Sequence, residues 1–335
     1  MSIRIGVYGA SGYTGQELIA LLDAHQEFAL TFAVSDQFAG QKVPQSDLTY
    51  RPSDAVDIVA VDMVFLCTPH GASAPLAAQA LDAGAKVVDL SADLRFQSAT
   101  EYQQWYQQPH PAPALLPTPY GIPELNRYNL ININAIANPG CYPTAALLAV
   151  APLAKVGALE SFAPVIVDAK SGVSGAGRAP SETTHFVEVY GDTRPYKIGR
   201  QHRHTGEIDQ ELRIMFPDAG PVIFSPHLLP IDRGLICTAY IPLKENWTQS
   251  QIREVYEAQY YAEPFIRLLP YGETARVKDA VRTNGAVISL HHPVPEMVLV
   301  VCAIDNLRKG AASQAIQNAN LMFNLPETAG LITST

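Results

Sequence analysis

Closely spaced cysteines are missing from this chain of 335 residues. Its four, Cys67, Cys141, Cys237 and Cys302, lie far apart, which argues against a zinc site built on cysteine pairs and against a CxxC redox pair. A basic surplus is missing too. Lys and Arg total 23 against 32 Asp and Glu, and the net charge of -9 disfavours nucleic acid or an anionic membrane as the main partner. A few Arg or Lys in a cleft can still hold an anionic small molecule. No uncharged apolar run reaches membrane-spanning length; the richest, 145–154, reads as a buried helix. Residues 1–8 read as a short strand, not as a charged leader ahead of a long apolar stretch. No signal peptide is therefore expected, and the cytosol is the expected compartment. Internal repeats and low-complexity tails are absent.

The length suits roughly two domains. Ile3–Tyr8 reads as a strand, Gly9–Gly15 as a glycine turn, Gln16–Ala24 as a helix and Phe28–Ser35 as a second strand. The alternation continues with a strand at Met63–Thr68, a helix at Ala74–Ala83 and a strand at Ala85–Leu90. Continuous apolar strands between helices indicate a parallel sheet covered on both faces. Pro109–Pro123 is too rich in proline for a helix or an inner strand and reads as a surface excursion. Leu130–Ala137 reads as a further strand. From about Thr144, strand-like stretches dominate: Val165–Ala169, Val222–Ser225, Leu235–Pro242, Ala286–His291 and Met297–Ile304. Trp247–Tyr261 and Asn306–Phe323 read as helices, the latter able to pack back on the first domain. The expected fold class is α/β, a Rossmann-type doubly wound parallel sheet plus an α+β catalytic domain with a mostly antiparallel sheet. The first domain is expected to take 1–143 and 306–335, the second 144–305.

The run Gly6-Val-Tyr-Gly9-Ala-Ser11-Gly12-Tyr13-Thr14-Gly15 sits between a strand and a helix. Glycines let backbone approach a pyrophosphate, whose charge is met by N–H groups at the helix start. The spacing is G-x-x-G-x-x-G, and its strand–turn–helix context strengthens it. At the end of the second strand the residues divide. Asp36 favours NAD through the ribose hydroxyls, whereas Ser35 and Lys42 suit a 2′-phosphate.

Cys141 differs from the other three cysteines, which lie in apolar strand-like runs and read as small buried hydrophobes. It stands in Asn138-Pro-Gly-Cys141-Tyr-Pro143-Thr, ahead of an Ala- and Leu-rich helix. Pro143 suits a first helical turn, so Cys141 falls at or just before a helix N-terminus. That end of a helix favours a thiolate, and its N–H groups can hold an oxyanion. Gln201-His202-Arg-His204-Thr-Gly-Glu207 places two histidines in a loop ahead of a helix, where an imidazole tends to be neutral. These two have no third ligand at diagnostic spacing, so no metal is expected. The glycine-rich run 170–178, with Ser171 and Gly172, offers N–H groups that could border nicotinamide, phosphate or substrate. Arg95, Arg178 and Arg233 are candidate anion binders.

Together these features point to thiol-assisted aldehyde chemistry. The chain resembles the N-acetyl-γ-glutamyl-phosphate reductase family of arginine biosynthesis, within the semialdehyde dehydrogenase superfamily. The motifs that carry the resemblance are GASGYTG (Gly9–Gly15), PGCYPTAA (Pro139–Ala146), SGVSGAGR (Ser171–Arg178), HRHTGEI (His202–Ile208) and DNLRKGAASQAIQ (Asp305–Gln317). They keep the family's order and span nearly the whole chain. The resemblance implies NADP, with NADPH as hydride donor, and a homodimer or homotetramer. It implies Cys141 as nucleophile and His202 as base, with His204, Tyr196 and Glu207 in support. Gly9, Ser11, Gly12, Tyr13, Thr14, Gly15, Ser35, Thr68, Ser171, Gly172 and Asn306 would hold the cofactor, and Arg95 and Arg178 the substrate. Two departures stand out. Asp36-Gln37 occupies a stretch where many members carry a basic residue, and Gly206 stands where proline is usual. The rival readings are reduction of another acyl phosphate (aspartyl or carrier-bound aminoadipyl phosphate), a nucleotide-sensing protein without turnover, and a Cys/His hydrolase.

Overall fold

The computed structural model describes residues 2–244 and 246–331. Met1 and 332–335, which the sequence assigns to the first domain, lie outside the described residues. Strand β1 (Ile3–Tyr8) leads into helix α1 (Tyr13–Asp23), which buries Leu18, Ile19, Leu21 and Leu22. The helix begins at Tyr13, earlier than its leucine spacing requires, because Gly12 already caps it in extended backbone. Next come β2 (Phe28–Val34), β3 (Met63–Leu66), α2 (Ser73–Asp82), β4 (Lys86–Asp89) and α3 (Ala99–Tyr106). Helix α4 (Pro123–Asn126) and β5 (Ala135–Ala137) complete this stretch. The strands lie in the order β2-β1-β3-β4-β5, all parallel. Two expectations need correction here. The proline-rich run is not wholly a surface excursion: Thr118, Tyr120 and Ile122 are buried, and Tyr120 pairs with Ala137 beside β5. The strand expected over 130–137 is only Ala135–Ala137, since Arg127–Leu130 closes into a 3-10 turn.

Helix α5 (Cys141–Lys155) starts the second unit and is buried from Tyr142 to Ala154. Pro152 inside it has no N–H to offer the carbonyl of Leu148. The Tyr260 hydroxyl donates to that carbonyl instead, at 2.6 Å, and Tyr256 donates to the carbonyl of Ala149. Both tyrosines belong to helix α8 (Gln249–Tyr260), so a potential defect becomes a helix–helix tie. The elements of this unit are β6 (Val165–Gly172), α6 (Phe186–Val189), β7 (Arg194–Pro195), α7 (His204–Met215), β8 (Val222–Leu229), β9 (Leu235–Pro242), α8 (Gln249–Tyr260), β10 (Ile266–Leu268), β11 (Ala286–Val294) and β12 (Met297–Ile304). The sheet runs β10-β11-β12-β9-β6-β8-β7, antiparallel except for β10–β11 and β6–β8. Along β9, Leu235, Cys237, Ala239 and Ile241 are buried while Ile236, Thr238 and Tyr240 are only partly covered. Helix α5 packs on β9 and β12. On the neighbouring strands Ile166 and Ile223 are exposed.

A π-helical turn (Arg308–Ala312) then leads to α9 (Ser313–Met322), which returns to the first unit. There Asn318 donates to the Gly121 carbonyl and to Asn138 Oδ1, and Gln317 donates to Glu124. The chain up to Gly140 with the segment from Ala311 forms one compact unit, and Cys141–Gly310 the other. The division thus falls slightly away from 143/144 and 305/306, because Cys141 already belongs to the helix that packs on β9 and β12.

Candidate active site

In the first unit, Gly9 has a positive φ of 70°, and a Cβ there would lie 2.3 Å from the Cys67 carbonyl oxygen. A Cβ on Gly15 would meet the Gly9 carbonyl oxygen at 2.5 Å. These two glycines let the turn pass against β3 and against its own helix. Gly12 has no such conflict, with only the Gly9 oxygen at 3.5 Å, so its place in the turn leaves room. Helix α1 starts with neither a side-chain cap nor an acidic residue in its first turn. An uncapped positive helix end behind a glycine cradle fits an anionic pyrophosphate. The start of α2 is different, because Asp93 already accepts from the N–H groups of Gly71 and Ala74. Ser11 and Ser35 share a hydroxyl hydrogen bond of 2.8 Å, while Thr68 bonds Ser73 at 2.6 Å. Tyr13 is exposed beside the turn, and Thr14 is partly covered.

In the second unit, Cys141 is the first residue of α5 and partly exposed. A Cβ on Gly310 would stand 2.8 Å from the Cys141 Cβ, so this glycine makes room for the cysteine. Its importance was not apparent from the sequence, where Gly310 is one residue of a long motif. Tyr142 is a second residue that sequence reasoning missed. Its hydroxyl accepts from Tyr196 at 3.3 Å and donates to the His227 carbonyl at 3.3 Å. Burial, first of all, pushes the Tyr196 hydroxyl up to about 12, and negative charge at Cys141 adds to the rise. Tyr142 is raised as well, again first by burial. Both therefore stay protonated near neutral pH, as hydrogen-bond donors.

His202 lies among rings. The centroids of Tyr142, Tyr196, Phe224 and His204 are 5.7, 5.5, 5.3 and 4.7 Å away. Burial, then positive charge at His204 and Lys197, push its imidazole down to about 2, against the opposing pull of Glu207. Its Nδ1 accepts the backbone N–H of His204 at 3.1 Å. A neutral ring that accepts at Nδ1 carries its proton on Nε2. His202 is thus neutral and presents its Nε2–H as a hydrogen-bond donor. His204 is the first residue of α7, not part of the loop ahead of it, and its Nε2 lies 3.8 Å from Oε1 of the buried Glu207.

The glycine-rich run is partly strand, since Lys170–Gly172 end β6. Ser171 is buried, and a Cβ on Gly172 would meet the Arg233 backbone at 2.9 Å. Asn306 is buried with both ends of its amide engaged: it accepts from the Gly234 N–H at 2.7 Å and donates to Ser174 Oγ at 3.0 Å. It ties the end of β12 to the glycine run. Arg178 is exposed at the end of that run, and Arg233 pairs with Asp305 at 3.4 Å. Arg95 is one of the two arginines expected at the substrate. It is buried in the first unit and donates to the carbonyls of Asn138 at 2.9 Å and Leu90 at 2.8 Å. Its charge steadies the segment that leads into Cys141. Among the described residues, no group of three or more His, Cys, Asp or Glu side chains could hold a metal ion. Likewise, no helix among them is long and apolar enough to cross a membrane.

Two family models match the chain: the semialdehyde dehydrogenase NAD binding domain over 4–133 and the semialdehyde dehydrogenase dimerisation domain over 141–306. The first unit is therefore an NAD(P)-binding domain, and fold and site together define an oxidoreductase of the semialdehyde dehydrogenase class. N-acetyl-gamma-glutamyl-phosphate reductase of Symbiobacterium thermophilum is 42% identical over 344 residues, covering 100% of this chain and 99% of the relative. The protein of the same name from Heliobacterium modesticaldum is 43% identical, covering 98% of each. The chain belongs to the N-acetyl-γ-glutamyl-phosphate reductase family. Solved structures share the fold at lower identity. Aspartate semialdehyde dehydrogenase II of Vibrio cholerae gives a TM-score of 0.76 at 18% identity, over 97% of this chain and 99% of that one. The Candida albicans aspartate semialdehyde dehydrogenase, crystallised with NADP, gives 0.69 at 15%, over 96% and 99%.

Proposed function

We propose that this protein reduces N-acetyl-γ-glutamyl phosphate to N-acetyl-glutamate 5-semialdehyde and phosphate, with NADPH, through a thioester on Cys141, in arginine biosynthesis. The observation that carries the proposal is Cys141 at the start of α5, with neutral His202 in the ring cluster around Tyr142. The start of a helix stabilises negative charge, which suits a cysteine thiolate. The thiolate attacks the acyl carbonyl, a C–S bond forms, and N–H groups at the helix start hold the oxyanion. The C–O bond to phosphate then breaks, with the neutral His202 donating a hydrogen bond from Nε2 to the departing phosphate. Solvent supplies the one proton that the overall reduction consumes. When bound, NADPH would supply the hydride for reduction of the thioester. The C–S bond breaks, the aldehyde leaves, and the thiolate returns. Splitting one difficult reduction into two steps is the gain of the covalent route. His204, paired with Glu207, and Tyr196 with Tyr142 fix the ring cluster around His202.

In this reading Gly9, Ser11, Gly12, Tyr13, Thr14, Gly15, Ser35 and Thr68 of the first unit would hold the cofactor, and Ser171 and Gly172 of the second would contribute to holding it. Asn306 orders the run that carries Ser171, and Arg178 remains the candidate for the substrate's charge. The protein works in the cytoplasm as a homo-oligomer. Exposed Ile166 and Ile223, on the paired strands β6 and β8, support self-association through the second unit. Purified protein given N-acetyl-glutamate semialdehyde, phosphate and NADP should produce NADPH, and Cys141→Ala should abolish this while dinucleotide binding persists. Turnover of aspartate semialdehyde with the acetylated substrate inert would overturn the assignment of substrate. Full activity in Cys141→Ala would overturn the mechanism.

A further inference from the structure

We infer that Arg51 selects NADPH over NADH by pairing with the adenosine 2′-phosphate. The inference rests on the proposed NADPH reading and supplies the basic group that the stretch after β2 lacks. Arg51 is distant from Ser35 in sequence, yet the fold lays it alongside. Val34 and Arg51 form a parallel bridge, the Arg51 N–H donates to the Ala33 carbonyl at 3.0 Å, and the Ser35 N–H donates to the Arg51 carbonyl at 3.0 Å. Arg51 thereby extends the sheet edge at the C-terminal end of β2. In dinucleotide folds the adenosine ribose is recognised near there, and a nearby Arg accommodates a 2′-phosphate.

Three further observations point the same way. The Arg51 side chain is exposed, and among the described residues it makes no side-chain hydrogen bond or ion pair. Ser35, its backbone partner, bonds Ser11 of the glycine turn at 2.8 Å, which places Arg51 beside the cradle and not on a remote surface. Asp36, the residue that would otherwise read a 2′-hydroxyl, has Oδ1 held by the Ser53 N–H at 2.7 Å. Lys42 is the alternative cation. It pairs with Thr49, two residues before Arg51 along the chain, and lines a cavity of about 520 Å³ together with Asp23 and Asp47. Those carboxylates oppose a phosphate there. A planar guanidinium also matches phosphate better than an ammonium does.

Direct binding by calorimetry tests this without relying on turnover, using 2′,5′-ADP, 5′-AMP, NADPH and NADH. Wild type should prefer 2′,5′-ADP to 5′-AMP, and NADPH to NADH. If it shows no preference, the NADPH reading itself fails. Given that preference, Arg51→Gln should weaken 2′,5′-ADP and NADPH by about ten- to hundredfold, the range for a lost charge-assisted hydrogen-bond pair, and leave 5′-AMP and NADH unchanged. Arg51→Lys should restore part of the loss. An intact preference in Arg51→Gln, or a loss confined to Lys42→Gln, would overturn the inference while leaving the NADPH reading in place.

Discussion

The backbone N–H of His204 donates to Nδ1 of His202 at 3.1 Å, and this one bond determines which face of the neighbouring imidazole carries a proton. His204 is the first residue of α7, so the start of the helix fixes the tautomer of a side chain two residues earlier. His202→Asn should lower kcat by about 10²- to 10³-fold, the usual cost of removing one hydrogen-bond donor to developing negative charge.

The same residue predicts an acid limb of stability. The folded-state value of His202, about 2, lies below its ordinary 6.5. The unfolded chain therefore takes up the proton first, and stability falls as pH drops below about 6.5. Above that pH the contribution is complete and flat. In denaturant titrations from pH 4 to 8, His202→Asn should lose less stability on acidification than wild type. Parallel curves would show that the ring is not held neutral.

Gly310→Ala tests the space behind the nucleophile. The new methyl would meet the Cys141 Cβ at 2.8 Å and Ile304 Cδ1 at 3.2 Å. Overpacking of this kind costs about 1–3 kcal/mol. The variant should fold with a lower melting temperature, lose at least about tenfold in kcat through misplacement of the sulfur, and show a changed alkylation rate at Cys141. Wild-type alkylation and turnover would mean that the turn relaxes without moving the cysteine.

Glu211, on α7 one turn beyond Glu207, gives a limb of opposite sign. Its carboxyl is pushed up to about 7, first by burial and also by Glu207, against a hydrogen bond from Gln210. Because the folded value exceeds the ordinary 4.5, stability present below about 4.5 is lost as pH rises through 7. Glu211→Gln should therefore gain in melting temperature relative to wild type between pH 5 and 8. A constant difference across that range would show that Glu211 is ionised throughout.

The parts that were legible in the sequence depend on short range. Strands β9 and β12 have the bounds that their apolar runs indicate, and Cys141 and the His202–His204 pair stand in compact motifs that local physics singles out as candidates. The short strands β7 and β10 were not legible, because so few residues show no periodicity. The Pro-rich run misled for a different reason: its burial comes from the bridge between Tyr120 and Ala137, a tertiary contact. Arg51 beside Ser35 and Gly310 beside Cys141 are likewise made by the fold, and no spacing rule reaches across those separations. Arg95, a candidate anion binder by its motif, is held by two backbone carbonyls, a tertiary placement that no motif shows.

The return of α9 to the first unit has a consequence for how the protein is made. Asn318 and Gln317 bond the Gly121 carbonyl, Asn138 and Glu124. Each such polar group, if buried without a partner, costs about 1–3 kcal/mol. During synthesis the nucleotide-binding sheet emerges first, yet these partners arrive only after the whole of Cys141–Gly310 has been translated. A nascent chain stopped near Gly140 would carry a sheet without its closing helix. The inserted unit can thus fold while the dinucleotide-binding domain is still waiting for its last helix, so nucleotide binding should mature late in translation.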